Sequence, residues 1–193
     1  MELLKVGCTW PGNDALMQNY HDTEWGIPLH ADQKLFEYIV LDGFQAGLSW
    51  KTVLHKRENF RRAFANFDAT TIAGYGEAKV AELMQDSGII RNRAKIVATI
   101  SNASAFLDIQ NEYGSFDQYI WQFTDYKTIV NYFEMNSEIP VKTPQSDAMS
   151  KELKKRGFKF VGSTICYAFM QAAGMVNDHL IGCERHEACR QFK

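Results

Sequence analysis

Apolar residues recur at three- and four-residue spacing along most of the 193-residue chain, and strict apolar–polar alternation is nearly absent. The first pattern gives a helix one apolar face, whereas the second would build a half-buried strand, so the chain reads as all-α. The spacing predicts helices over 14–22, 33–42, 50–65, 76–86, 91–112, 116–123, 146–156 and 163–174. The stretch SDAMSKELKKRG carries the clearest start and stop signals. Ser146 or Asp147 is the expected N-cap, Met149 and Leu153 form an inward stripe, basic residues crowd the last turn, and Gly157 can supply a left-handed cap.

A second helix follows at STICYAFMQAAG, joined to the first through RGFKFVG. The two predicted helices, spanning residues 146–174, would be joined by a tight turn containing Gly157 and Gly162, with Lys155, Arg156 and Lys159 around it. Gly162 ahead of Ser163 would leave backbone N–H groups open at a helix start, where the macrodipole favours an anion such as a DNA phosphate. A purely structural turn accounts for the same glycines. The second helix is too apolar to read bases, so any DNA contact there would be with the backbone. The segment MNSEIPVKTPQSD, residues 135–147 with Pro140 and Pro144, is the clearest irregular connection, and no repeat or low-complexity tract is found. One domain over 1–193 is expected.

A chain of this length buries a core without disulfides, and its four cysteines, Cys8, Cys166, Cys183 and Cys189, are unevenly spaced. The opening MELLKVGC lacks the apolar run of a secretory signal, so a reducing, cytoplasmic location with free or metal-bound thiols is expected. The most apolar stretch, TICYAFMQAAGMV, is too short to span a bilayer, and no membrane partner is expected. A formal net charge of −2 gives no global sign of nucleic-acid binding. The basic residues are nevertheless grouped, as Lys56, Arg57, Arg61 and Arg62, then Arg91, Arg93 and Lys95, then Lys151, Lys154, Lys155, Arg156 and Lys159. Solvated helix faces explain such groups unless the surroundings give them a partner.

Cys8 and His21 lie near one end of the chain, His179 and Cys183 near the other. Two sulfurs and two imidazoles make a closed tetrahedral set, the composition of a structural zinc site. HLIGCERHEAC offers a rival, since His179, Cys183, His186 and Cys189 could form a local knuckle, and the residues also allow no metal at all. Asp42 stands at the end of an apolar helical run, where a negative charge opposes the helix dipole. An exposed aspartate is the plain explanation. The alternative is a pocket walled by Trp10, Tyr20, Trp25 and Trp50 with Asp42 as its polar anchor, suited to a flat cationic heterocycle.

The segments YHDTEWGIP, LDGFQAGLSWKTVLHKRENFRRAF, DSGIIRNRAKI and SDAMSKELKKRGFKFVGSTICYAFMQAAGMVNDH, with the closing GC, resemble in this order the 3-methyladenine DNA glycosylase I family of the helix-hairpin-helix DNA glycosylase superfamily. The resemblance implies a mostly α-helical fold whose ends are joined by a structural Zn2+ on Cys8, His21, His179 and Cys183, which favours the clasp over the knuckle. It implies a base pocket of Trp10, Tyr20, Trp25 and Trp50, with Asp42 as the base-reading, catalytic carboxylate. The family usually carries Glu there, one methylene longer, and Met17 stands where some relatives use an aromatic. Gly47 would allow close backbone approach and Leu48 would wedge the gap left by an extruded nucleotide. Lys155, Gly157, Lys159, Gly162 and Ser163 would grip the DNA backbone.

The implied partner is double-stranded DNA carrying alkylated adenine, met by a monomer. The implied reaction is hydrolysis of the N-glycosidic bond of 3-methyladenine, leaving an abasic site. No hairpin lysine is placed to attack the sugar, so no lyase activity is expected, and Asp178 receives no catalytic role. The rival class is a zinc-stapled lesion-binding module without turnover.

Overall fold

The computed structural model describes residues 7–191; residues 1–6, whose lack of an apolar run bears on localisation, and residues 192–193 lie outside it. The described chain is mostly helical, as the periodicity predicts. Its centre is α2 (Asp32–Gln45), which is buried continuously from Leu35 to Phe44. A helix buried all round belongs inside a core rather than on a face, and its neighbours are arranged accordingly. Helix α1 (Ala15–Thr23) precedes it, starting where Asp14 accepts hydrogen bonds from the Leu16 and Met17 amides. The helix α2 includes Gly43, which the sequence pattern places at its end.

The single helix predicted over 50–65 is two, α3 (Trp50–Leu54) and α4 (Arg57–Ala63), followed by a short 3-10 turn. Ser49 caps α3 through the Thr52 amide. At the break, Lys56 donates to the carbonyls of Ser87 and Gly88. Arg57 turns inward and pairs with Glu24 through both terminal nitrogens at 2.7 Å. Helices α5 (Ala69–Ala73), α6 (Glu77–Gln85), α7 (Arg93–Tyr113) and α8 (Phe116–Trp121) complete the larger part of the body.

The hairpin comprises α9 (Pro144–Lys155) and α10 (Ser163–Ala172). The N-cap of α9 is Thr143 rather than Ser146 or Asp147: its hydroxyl accepts from the Ser146 amide, the Ser146 hydroxyl accepts from the Thr143 amide, and Pro144 takes the first helical position. The other end stops as expected. Gly157 has φ +96°, its amide donates to Lys154, and the Phe158 amide donates to Leu153, a Schellman closure.

A two-residue parallel pairing between β1 (Ile129–Val130) and β2 (Val176–Asn177) and a final helix α11 (Glu184–Arg190) are not predicted by the pattern. In the segment after α10, His179 and Cys183 lie against His21 of α1.

Candidate functional site

One side of a cavity of about 440 Å³ is built by the first helices of the chain. The turn before α1 supplies Trp10, α1 supplies Tyr20, and Trp25 follows it; α2 supplies Asp42 and Gln45, and α3 supplies Trp50. All five residues expected to form a pocket are therefore brought together. Their rings pack edge-on or tilted, Trp10 to Trp25 at 5.1 Å and Tyr20 to Trp50 at 5.1 Å between centroids. Met17 is buried in the core and takes no part in the lining.

Helix α2 buries two acids that have different surroundings. Glu37 meets Arg61 at 2.6 Å and Lys34 at 2.9 Å. Asp42, only 2% exposed, has one carboxylate oxygen with no partner. Removal from water pushes its pKa well above the usual carboxylate range. The buried indole nitrogens of Trp10 and Trp50 also lack partners. Native proteins satisfy most buried polar groups, so three orphans lining one cavity mark a place where a polar, flat ligand completes the set.

The sequence reading misses the far wall. Thr164, Tyr167, Ala168 and Gln171 line it from α10, and the loop from Asn136 to Val141 closes one side. The α10 residues are spaced three and four apart, so they form one helical stripe, more polar than its neighbours, that the overall apolarity of the segment hides. Asp178 holds this wall: it accepts from the Tyr167 hydroxyl at 2.6 Å, the Gln171 amide at 2.8 Å and the Asn131 amide at 2.7 Å. It is fully engaged in those contacts.

Next to the pocket, Cys8, His21, His179 and Cys183 bring their donor atoms within 4.8 Å of one another. His179 Nδ1 lies 3.1 Å from His21 Nε2, 3.8 Å from the Cys8 sulfur and 3.7 Å from the Cys183 sulfur; His21 Nε2 is 3.6 Å from Cys183. A tetrahedral ion with bonds of about 2.0 Å to nitrogen and 2.3 Å to sulfur would set these edges at about 3.3 to 3.8 Å. The donors fit. The outward nitrogens are also fixed: His179 Nε2 donates to the Trp25 carbonyl at 2.9 Å and His21 Nδ1 to Asp22 at 2.7 Å, leaving the inward nitrogen of each ring free to ligate. The two sulfurs bias each other in opposite directions, the Cys183 thiol being pushed down and the Cys8 thiol up by their mutual interaction. Gly26, at φ +76°, is required here, because a Cβ there would lie 3.0 Å from the His179 ring.

The local knuckle does not assemble. His186 is turned to the Asn131 carbonyl at 2.8 Å, and neither it nor Cys189 joins the cluster.

Gly47 has φ +81° with open space where a side chain would project, and Leu48 beside it is 43% exposed, which is unusual for leucine. Gly162 caps α10 without a side-chain acceptor, so the first amides of that helix stay open. Ser163 is hydrogen-bonded to Asp147, which lowers that carboxyl, while Lys155 and Lys159 are exposed beside the turn. Much of the other basic grouping is structural: Arg57 is paired with the half-buried Glu24, Arg61 with the buried Glu37, and Lys95 is buried.

A family model for methyladenine glycosylase matches residues 10–186. The chain is 53% identical over 176 residues to DNA-3-methyladenine glycosylase 1 of Escherichia coli (strain K12), covering 91% of this chain and 94% of that one. A crystal structure of 3-methyladenine DNA glycosylase I matches with a TM-score of 0.91 at 52% identity, covering 93% of this chain and 98% of the other. A crystal structure of a variant of 3-methyladenine DNA glycosylase I in complex with 3-methyladenine matches with a TM-score of 0.90 at 33% identity, covering 92% and 95%.

Proposed function

The chain belongs to the methyladenine glycosylase family, and from that premise we propose how its residues carry out the family's reaction: release of 3-methyladenine from alkylated DNA by hydrolysis of the N-glycosidic bond. The observation that carries the reading is the cavity with Asp42 and two indole nitrogens left unpartnered among four aromatic rings. Methylation at N3 makes adenine cationic in DNA, which weakens the glycosidic bond and improves the leaving group. Little acid catalysis is then needed, and the protein's work is extrusion and selection.

Extrusion costs a few kcal/mol, and Leu48 fills the gap in the duplex while the nucleotide turns outward. Trp10, Tyr20, Trp25 and Trp50 hold the ring by stacking and by the attraction of aromatic faces for a cation. Ionised against the cationic base, Asp42 is an acceptor only and takes a hydrogen bond from the exocyclic amino group; guanine presents a carbonyl there and is refused. A cationic ring is also the partner that a buried carboxylate lacks, which selects the methylated base over neutral adenine. Water attacks the sugar carbon, the base leaves with the bonding electrons, and an abasic site remains. With no lysine at the sugar, the reaction stops there.

The hairpin positions the DNA by its backbone, through the open amides after Gly162 with Ser163, the turn at Gly157, and Lys155 and Lys159. Gly47 lets the duplex approach the wedge. Zinc suits the two-sulfur, two-imidazole donor set on Cys8, His21, His179 and Cys183, and four protein ligands leave it no open position for chemistry. The chain acts as one domain and as a monomer on double-stranded DNA in the cytoplasm. Among the described residues no helix is long and apolar enough to cross a membrane.

The test incubates alkylated duplex DNA with the protein and separates the released bases by chromatography. Release of 3-methyladenine with 7-methylguanine retained is expected. Retention of methylated DNA without release would instead make the protein a lesion-binding module, and a covalent adduct trapped by borohydride would overturn the absence of lyase chemistry.

A further inference from the structure

The wedge connection and the hairpin are separated by more than a hundred residues, yet both are held by one face of α7. Lys95, 7% exposed, donates from Nζ to the carbonyls of Phe44 at 2.8 Å and Ala46 at 2.7 Å. Those carbonyls close α2 immediately before Gly47 and Leu48. Asn102 grips the hairpin with both ends of its amide, donating to the Lys159 carbonyl at 3.1 Å and accepting from the Lys159 N–H at 2.8 Å. Residues 95 and 102 are seven apart and share a helix face.

The two gripped pieces also touch. A Cβ built on Gly43 of α2 would lie 3.5 Å from the Phe160 Cβ, and the Lys95 ammonium sits 5.8 Å from the centre of the Phe160 ring. Phe160 is half-exposed at the hairpin with φ +56°, a left-handed conformation unfavourable for a bulky residue, which persists where its surroundings hold it.

We propose that Lys95 is a positioning residue for nucleotide extrusion: together with Asn102 it fixes the spacing between the Leu48 wedge and the backbone-gripping hairpin, so that the duplex held at one is split at the right step by the other. A lysine at a helix C-terminus can also be a plain cap. The distinction is functional. A cap contributes stability to every reaction of the protein, whereas a spacer matters only when a duplex must be opened. The proposal rests on the wedge and hairpin roles given above.

The experiment measures release of 3-methyladenine from duplex and from single-stranded alkylated DNA, and binding of free 3-methyladenine by tryptophan fluorescence, for wild type, Lys95→Met, Lys95→Arg, Leu48→Ala and the Lys95→Met/Leu48→Ala double variant. A displacement of about 1 Å far from the chemistry can cost on the order of a hundredfold. Lys95→Met is expected to lose about tenfold to a hundredfold on duplex DNA, with single-strand release and free-base binding near wild type. Lys95→Arg, which keeps the charge and donors, should recover part of the loss. In the double variant the losses should not multiply, because both changes disable one device.

Duplex activity unchanged in Lys95→Met, equal losses on duplex, single strand and free base, or multiplied losses in the double variant would each overturn the proposal while leaving the wedge intact. Full duplex activity in Leu48→Ala would overturn the wedge itself and the proposal with it.

Discussion

Tyr20 and His21 are neighbours on α1, yet they face sites completed in opposite ways. His21 enters a cluster in which the outward imidazole nitrogens are held by hydrogen bonds and the inward nitrogens and two sulfurs converge on one point. Tyr20 enters a cavity where a carboxylate oxygen and two indole nitrogens have none. The first arrangement suits a resident ion held for the life of the protein, and the second a guest that comes and goes. The sites also share a wall: Trp10 lies 5.4 Å from the His21 ring, and Trp25 lies 4.7 Å from that of His179. Order in the clasp is therefore passed to the pocket, while the unsatisfied groups of the pocket are a local cost that the rest of the fold sustains.

Breaking the clasp should have the largest effect. Structural zinc contributes roughly 10 kcal/mol to isolated zinc-finger domains, and a larger core replaces only part of that. Cys183→Ala, or a strong chelator, is expected to lower the thermal midpoint by more than about 10 °C, for a loss above about 4 kcal/mol. Binding of 3-methyladenine should be lost in parallel, because Trp10 and Trp25 pack against the ligand imidazoles. Melting curves with and without chelator, alongside metal analysis, check this. A midpoint indifferent to chelation would mean that the four groups form only a hydrogen-bonded cluster. His186→Ala, outside the cluster, should leave the metal content unchanged.

Asp42 separates function from stability more sharply. Asp42→Asn removes the charge that a cationic base meets and weakens the acceptor, so excision should fall by about 2 kcal/mol, roughly thirtyfold. Stability should move the other way, because the empty site no longer buries an unpaired acid; a gain of about 1 kcal/mol at pH 7 is expected. A parallel loss of activity and stability would show that Asp42 is a structural residue.

The same substitution has a pH signature. Burial raises the folded-state pKa of Asp42, so the folded protein keeps a proton that the unfolded chain has already released. Protons bound to the native state alone make stability fall as pH rises. The contribution is complete below the unfolded value near 4 and is lost as pH rises through the folded pKa. Denaturation midpoints measured at intervals above pH 4 should therefore fall less steeply in Asp42→Asn than in wild type. Identical slopes would mean that Asp42 is ionised even in the free protein.

The comparison also shows what a sequence discloses. The clasp donors and five pocket residues were legible because Cys, His, Trp and buried acids are chemically conspicuous, and the resemblance of several long motifs put them in order. The α10 wall was not, since Thr164, Tyr167 and Gln171 are unremarkable in an apolar helix until Asp178 pins two of them. The division of 50–65 into two helices was hidden for another reason. Val53, Arg57, Phe60 and Phe64 keep helical spacing across the break, so periodicity alone carries no mark of it. Helix α11, with a mostly polar sequence, and strands of two residues lie below what such patterns reveal. Lys95 shows the limit of charge grouping: it counts with Arg91 and Arg93 in the sequence and is buried against α2 in the fold.

The smallest effect belongs to the hairpin, and it extends the contrast to the protein's surface. Lys155 is 77% exposed and only 3.9 Å from Glu152, so its ion pair is weak and its charge is available. If Lys155 and Lys159 each neutralise a phosphate, removing one should reduce the slope of log affinity against log salt by about 0.9. Over a fourfold change in salt, one such contact is worth about threefold in affinity. Lys155→Ala and Lys159→Ala should therefore bind duplex DNA more weakly at low salt, converge on wild type as salt rises, and keep its preference for 3-methyladenine over 7-methylguanine, because phosphate contacts position the duplex without reading it. Binding of the free base should not change at any salt. A loss that persists at high salt, or a change in which base is released, would mean that the hairpin lysines act on the pocket, and the division between a gripping surface and a reading cavity would fail.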